Sequence, residues 1–179
     1  DLVTKDTEKL KKCSYVFCHQ GFKGFDLGGG ILDESGVDIS ILPPTNFIVG
    51  HYHKSQRDKS VLYPGTPFSH SFGEANQTKQ ILLLEGSSLR FIDTNLPQHY
   101  KFKFDASKES FDFLFDVFKK KIKSDDLIDV VVSCKKSDQN RYDKSFIEKA
   151  VGVSLDSLKL RYSFTDSQSI IRIDEGMTI

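Results

Sequence analysis

The chain has 179 residues, enough for one medium domain or a core with a small appendage. Its 25 basic residues balance its 25 acidic ones, so any grip on a polyanion has to come from a local patch or a bound metal rather than from overall charge. No run reaches the ~18 apolar residues of a membrane span, and no signal-peptide pattern opens the sequence. The three cysteines, Cys13, Cys18 and Cys134, are odd in number and lack CxxC spacing, which points to free thiols in a reducing compartment. The chain begins with Asp1 rather than Met, which leaves a processed product or a piece of a larger protein open.

In chain order, residues 5–12 are charged and read as a short helix or lead-in. Residues 14–18 form a compact β-prone run that ends at His19-Gln20-Gly21, where a loop must start. Gly24, Gly28, Gly29 and Gly30 make residues 22–30 read as a flexible loop; without a Lys-Ser/Thr ending it is not a phosphate loop. Residues 31–42 read as a short helix or hairpin closed by Pro43-Pro44. Residues 46–49 and 60–63 are buried-strand candidates, and residues 80–85 and 88–92 a hairpin about Gly86. Residues 100–104 alternate as a half-exposed strand does.

The texture changes near Asp105. Phe111, Leu114, Phe115, Phe118 and Ile122 fall at helical spacing within 107–123, with Lys119-Lys120-Lys121 on a solvated face. Residues 127–133 read as a strand, 143–151 as a helix stopped at Gly152, and 158–164 as an alternating strand. The fold class is therefore α/β in the α+β sense. A β-rich region, 1–104, precedes a small β-α-β-α-β region, 105–179.

The chemistry concentrates in Gly50-His51-Tyr52-His53. Histidines at i and i+2 on extended backbone face the same side and can converge on a metal, and a glycine beside them lets the backbone approach. An HxH alone is weak; it gains weight from His19 in Phe17-Cys18-His19-Gln20 and from Tyr63-Pro64-Gly65-Thr66-Pro67 and Phe72-Gly73-Glu74 in order behind it. Lys54, Gln56, Arg57 and His70 follow closely enough to touch a nucleic-acid backbone. His99 has no such company, and Cys18 beside His19 forms no catalytic pair.

These segments resemble the later motifs of calcineurin-like metallophosphoesterases, and the stretch through Phe72-Gly73-Glu74 resembles the SbcD-type DNA repair nucleases and phage recombination endonuclease subunits. The resemblance covers roughly residues 14–92 and implies the later half of a metallophosphoesterase β-sandwich with flanking helices. Residues 105–179 match that family's small capping, DNA-positioning domain in length and element order only. The family uses a two-ion centre, usually Mn2+, to hydrolyse phosphodiesters. By resemblance, His19 and His51 would bind one ion and His53 the other. The family's early motifs, Asp-x-His, Gly-Asp-x-x-Asp and Gly-Asn-His, are not in this sequence. The bridging carboxylate and the general-acid histidine are missing with them, so no catalytic residue is assigned, and Asp26, Asp33 and Glu34 stand in no matching motif.

The resemblance implies a Mn2+-dependent DNA exonuclease or endonuclease subunit of recombination or repair. Its partners would be DNA, an SbcC-type ATPase, and the missing N-terminal half or a second nuclease subunit. No membrane is involved, and the setting is cytoplasmic, in the host if the source is viral. The rivals are a non-catalytic interaction or DNA-binding module derived from such a nuclease, and a phosphoesterase acting on small phosphoesters or phosphoproteins.

Overall fold

A short helix, α1 (Thr7–Leu10), leads into β1 (Tyr15–His19), then β2 (Asp26–Gly28), β3 (Ile31–Leu32), β4 (Asn46–Gly50), β5 (Gln56–Asp58), β6 (Val61–Tyr63), β7 (Gln80–Glu85) and β8 (Ser88–Asp93). The structure, a computed structural model, describes residues 7–166 and divides into two compact units between Tyr100 and Lys101.

The main sheet of the first unit runs β1-β4-β6-β5. β1, β4 and β6 are parallel, and β5 returns antiparallel along β6. The register sets His19 opposite Gly50, so the two histidine motifs leave the sheet side by side at the carboxyl ends of neighbouring strands. Phe22, Phe25, Phe47, Val49, Tyr52, Val61 and Tyr63 form the buried core against this sheet. Burying each large side chain of this kind contributes about 1.5–3 kcal/mol.

One local expectation changes, and one strand forms where the sequence carries no signal for it. Residues 22–30 are not simply a loop: β2 and β3 pair as a hairpin across Gly29 and Gly30, both at positive φ. Asp26 Oδ1 accepts the Gly28 and Gly30 amides at 2.7 and 3.1 Å, so a carboxylate organises the reversal that glycine permits. Residues 56–58 form strand β5, although Gln56-Arg57-Asp58 carries no apolar signal; edge pairing with β6 makes the strand.

The second unit holds the sheet β10-β9-β11-β12, built from β9 (His99–Asp105), β10 (Ser110–Phe111), β11 (Leu127–Cys134) and β12 (Ser157–Phe164). Two helices accompany it, α2 (Phe113–Phe118) and α3 (Lys144–Val151). β11 and β12 are parallel, with α3 in the crossover between them. The helix expected over 107–123 is shorter. Phe111 joins the sheet, Asp112 caps α2 through the Phe115 amide at 3.2 Å, and Lys119–Lys121 is a 3-10 turn. α3 matches its expected span: Asp143 caps its start and Gly152, at φ 85°, ends it. Phe104, Phe111, Phe115, Tyr142 and Phe146 pack ring against ring, with centroids 3.9–5.2 Å apart in the closest pairs.

The fold is thus mixed α+β, with several sheets and few helices. Among the described residues no helix is long and apolar enough to cross a membrane. Cys13, Cys18 and Cys134 are free thiols.

Candidate metal centre

β4 ends at Gly50, and the expectation of extended backbone through His51-Tyr52-His53 does not hold. His51 sits at φ 129°, a conformation that L side chains rarely adopt. Two anchors over-determine it. On one side, an ideal Cβ on Gly50 would lie 2.9 Å from His19 Cδ2, so glycine is what lets the His19 ring lie across β4. On the other, Tyr52 is buried in the core, and its hydroxyl donates to Asp33 Oδ2 at 2.5 Å and lies 3.3 Å from the Phe22 carbonyl. Strain of this kind persists only where surrounding structure enforces it.

The result brings histidines together by a route other than strand alternation. The exposed rings of His19 and His51 meet edge-on, with centroids 5.2 Å apart. His51 and His53 line one open cavity of about 560 Å³, together with Lys54, Glu74 and the Gly28-Gly29 end of the β2–β3 hairpin. The His53 ring lies 4.8 Å from that of His70, which in turn packs at a tilt against Phe68, centroids 4.6 Å apart.

Both downstream motifs converge on His53. The Pro64-Gly65-Thr66 turn folds back so that the Thr66 amide donates to the His53 carbonyl at 3.1 Å. Gly65, at φ 81°, is required here, because a Cβ would come within 2.8 Å of both the His53 carbonyl oxygen and the Ser55 nitrogen. The Phe72-Gly73-Glu74 turn, capped by Ser71, brings Glu74 Oε1 to 2.8 Å from His53 Nδ1. Glu74 Oε2 accepts from the Lys79 ammonium at 2.7 Å. Lys79, 1% exposed in its side chain, also donates to the His53 carbonyl at 3.1 Å and to Thr66 Oγ1 at 3.0 Å. Burial alone would raise the Glu74 pKa. Lys79, His53 and the His70 amide outweigh it and bring it down to about 2. His99 borders this region through a 4.8 Å edge contact with Phe72; burial pushes its imidazole down, and its Nδ1 has no hydrogen-bond partner among the described residues.

The other carboxylates are committed to holding loops. Asp33 Oδ1 accepts from the Ser35 amide, the Ser35 hydroxyl and the Gly36 amide while Oδ2 takes the Tyr52 hydroxyl; these bonds hold its pKa at about 2. Asp26 Oδ2 accepts from Lys54 Nζ at 2.7 Å, which lowers its pKa ahead of the Gly28 and Gly30 amides.

Of the proposed nucleic-acid contacts, Lys54 and Gln56 are therefore both engaged with the β2–β3 hairpin. Gln56 accepts from the Asp26 amide at 2.7 Å and donates to its carbonyl at 2.9 Å. Arg57 is exposed on β5, and His70 is exposed beside His53. Glu74 and Lys79 are the functional residues that sequence reasoning left without a role. Glu74 was visible as part of a motif; a buried lysine in the polar stretch 77–80 carries no sequence signal.

The donor set fits the imidazole side of a divalent-cation centre: exposed rings, an open cavity, and a carboxylate that holds one Nδ1. It does not close one alone. Among the described residues no group of three or more His, Cys, Asp or Glu side chains could hold a metal ion.

No family model matches the chain. It is similar to a protein described as "Putative phosphoesterase 244L" of Invertebrate iridescent virus 6, at 34% identity over 80 residues. That match takes in 44% of this chain and 28% of the viral protein, so the chain spans less than a third of the relative it resembles.

Proposed function

We propose that this chain carries the histidine side of a phosphoester-hydrolase centre whose substrate is the phosphodiester backbone of DNA. The observation that supports it most is the placement of His51 and His53 on one cavity with His19 against His51, in a chain similar to a phosphoesterase. His19 and His51 would hold one ion and His53 the other, with Mn2+ the ion implied by the resemblance. A bound divalent ion supplies charge against a phosphoryl oxygen and acidifies a bound water. The remaining ligands, including a bridging carboxylate, would come from polypeptide outside this sequence, carrying the Asp-x-His, Gly-Asp-x-x-Asp and Gly-Asn-His motifs. On this reading the first unit is the later half of a metallophosphoesterase sandwich, residues 105–179 help position DNA, and an SbcC-type ATPase is the expected partner. Arg57 and His70 are the more available phosphate contacts, since Lys54 and Gln56 already hold Asp26.

One observation favours a second reading, a non-catalytic module derived from such a nuclease: the carboxylates that could complete a site are bonded elsewhere. Mn2+ titration calorimetry on the whole chain and on the His51→Ala/His53→Ala double variant, each mixed with a polypeptide that carries the three missing motifs, separates the two, with linear duplex DNA and bis(p-nitrophenyl) phosphate offered as substrates. Binding and DNA cleavage, both lost in the variant, support the hydrolase. DNA or protein binding without metal uptake or cleavage supports the module. Hydrolysis of the small diester alone moves the substrate class away from DNA.

A further inference from the structure

We infer that Glu74 and Lys79 are the positioning pair of His53, fixing both its ring orientation and its tautomer so that Nε2 keeps the lone pair for a ligand. The inference rests on reading His53 as a metal ligand but makes a claim that no metal is needed to test.

The geometry is specific. Lys79 grips His53 twice, directly at its carbonyl oxygen at 3.1 Å and indirectly through Glu74, which it meets at 2.7 Å and which meets Nδ1 at 2.8 Å. Backbone and ring of one residue are thereby tied to the same ammonium. An ionised carboxylate accepts hydrogen bonds and donates none. With Lys79 on Oε2 and the His70 amide also donating to it at 3.3 Å, Glu74 stays ionised, and the proton between Oε1 and Nδ1 belongs to Nδ1. A neutral imidazole with its proton on Nδ1 has its lone pair on Nε2. This is how outer carboxylates orient metal-binding histidines, and their removal typically weakens metal binding about 10–100-fold.

Nothing comparable acts on His51. Its position comes from backbone strain and from the burial of Tyr52, and its ring meets only the rings of Tyr52 at 4.8 Å and His19 at 5.2 Å among the described residues, with no carboxylate on it. The two histidines of the motif are thus set in place by different means, and of the two only His53 is held by the pair Glu74–Lys79.

The test is two-bond 1H–15N correlation NMR of the whole chain, free of metal, at about pH 8, where an ordinary imidazole is neutral. It is compared with a Glu74→Leu/Lys79→Met variant, which replaces the buried ion pair by apolar groups of similar length and so leaves no unpaired charge. His53 is assigned by its loss in His53→Gln. The expected result is the Nδ1–H form for His53 in the native chain and a return to mainly Nε2–H, the form favoured by free histidine, in the double variant. Circular dichroism should be unchanged. Nε2–H in the native chain overturns the proposal, as does Nδ1–H retained in the double variant, which would make the ion pair purely structural. If the native chain also takes up Mn2+, the double variant should bind it about 10–100-fold more weakly. Absence of uptake by the native chain is what a centre completed by other polypeptide predicts, and the tautomer result still decides the role of Glu74 and Lys79.

Discussion

The two units share a fold class but differ in how their buried polar groups are used. In the second, the buried Asp129, 3% exposed, reinforces regular structure by meeting Arg161 through two bonds of 2.9 and 2.8 Å across the parallel pair β11–β12, while Asp126 accepts the Lys123 amide at 2.7 Å in the turn ahead of β11. The remainder of that core is a cluster of phenylalanine and tyrosine rings on strand and helix. In the first, the buried Asp26 and Asp33 and the part-buried Glu74 each hold an irregular segment, and two of those segments carry histidines. The difference shows what an exposed donor set demands. Apolar packing can fix a strand or helix, but a loop that must keep its imidazoles facing a cavity offers little apolar surface, so directional bonds to buried charges take over.

The largest effects should separate the two schemes. Phe115→Ala removes a buried ring stacked on Phe111 at 3.9 Å and should destabilise the second unit by about 3–5 kcal/mol, read by urea unfolding. Glu74→Ala leaves the Lys79 ammonium buried without its carboxylate and should cost the first unit about 3 kcal/mol or more. A loss under about 1 kcal/mol there, the value of an exposed pair, would sink the claim that buried charge holds this loop.

Acid titration sharpens the same contrast. Glu74 and Asp33 both have folded pKa values near 2, below their ordinary values of 4.5 and 3.8. A depressed carboxylate stabilises the fold fully above its unfolded value, and that stabilisation disappears as pH falls through the folded one. The first unit should therefore lose stability between about pH 4.5 and 2, as tracked by urea midpoints at successive pH values. Tyr52→Phe deletes the largest influence on Asp33, so its pKa should rise toward 3.8 and its share of the acid loss should shrink. An unchanged acid profile in that variant would show that Tyr52 does not hold Asp33.

Regular elements were legible where pattern and burial agree. β1, β4, β6, the β7–β8 hairpin and α3 follow from apolar runs, alternation, Gly86 and the Asp143 and Gly152 caps. What escaped was local structure made by strand pairing and capping rather than by an apolar pattern. β5 is polar and exists because β6 offers an edge; the β2–β3 hairpin hides in glycines that also suit a loop; α2 starts late because Asp112 caps it and Phe111 belongs to the sheet. The site divides in the same way. His19, His51 and His53 are visible as a motif, whereas Lys79 becomes meaningful only when a fold buries it beside Glu74.

The backbone of His51 allows the finest test of the comparison. At φ 129° it occupies a region where glycine is at ease and an L residue is strained by about 1–3 kcal/mol. Glycine gives back part of that through its greater freedom in the unfolded chain, about 0.5–1 kcal/mol. His51→Gly should then be more stable than His51→Ala by about 1 kcal/mol, although both delete the same imidazole and both should abolish any metal uptake that depends on it. Urea midpoints of the two variants measure the difference directly. If alanine equals glycine, the loop relaxes freely and His51 is not held by its neighbours. If glycine wins, the anchors at Gly50 and Tyr52 force a conformation that stability alone would not select, and a histidine kept there is explained by what its ring does at the cavity.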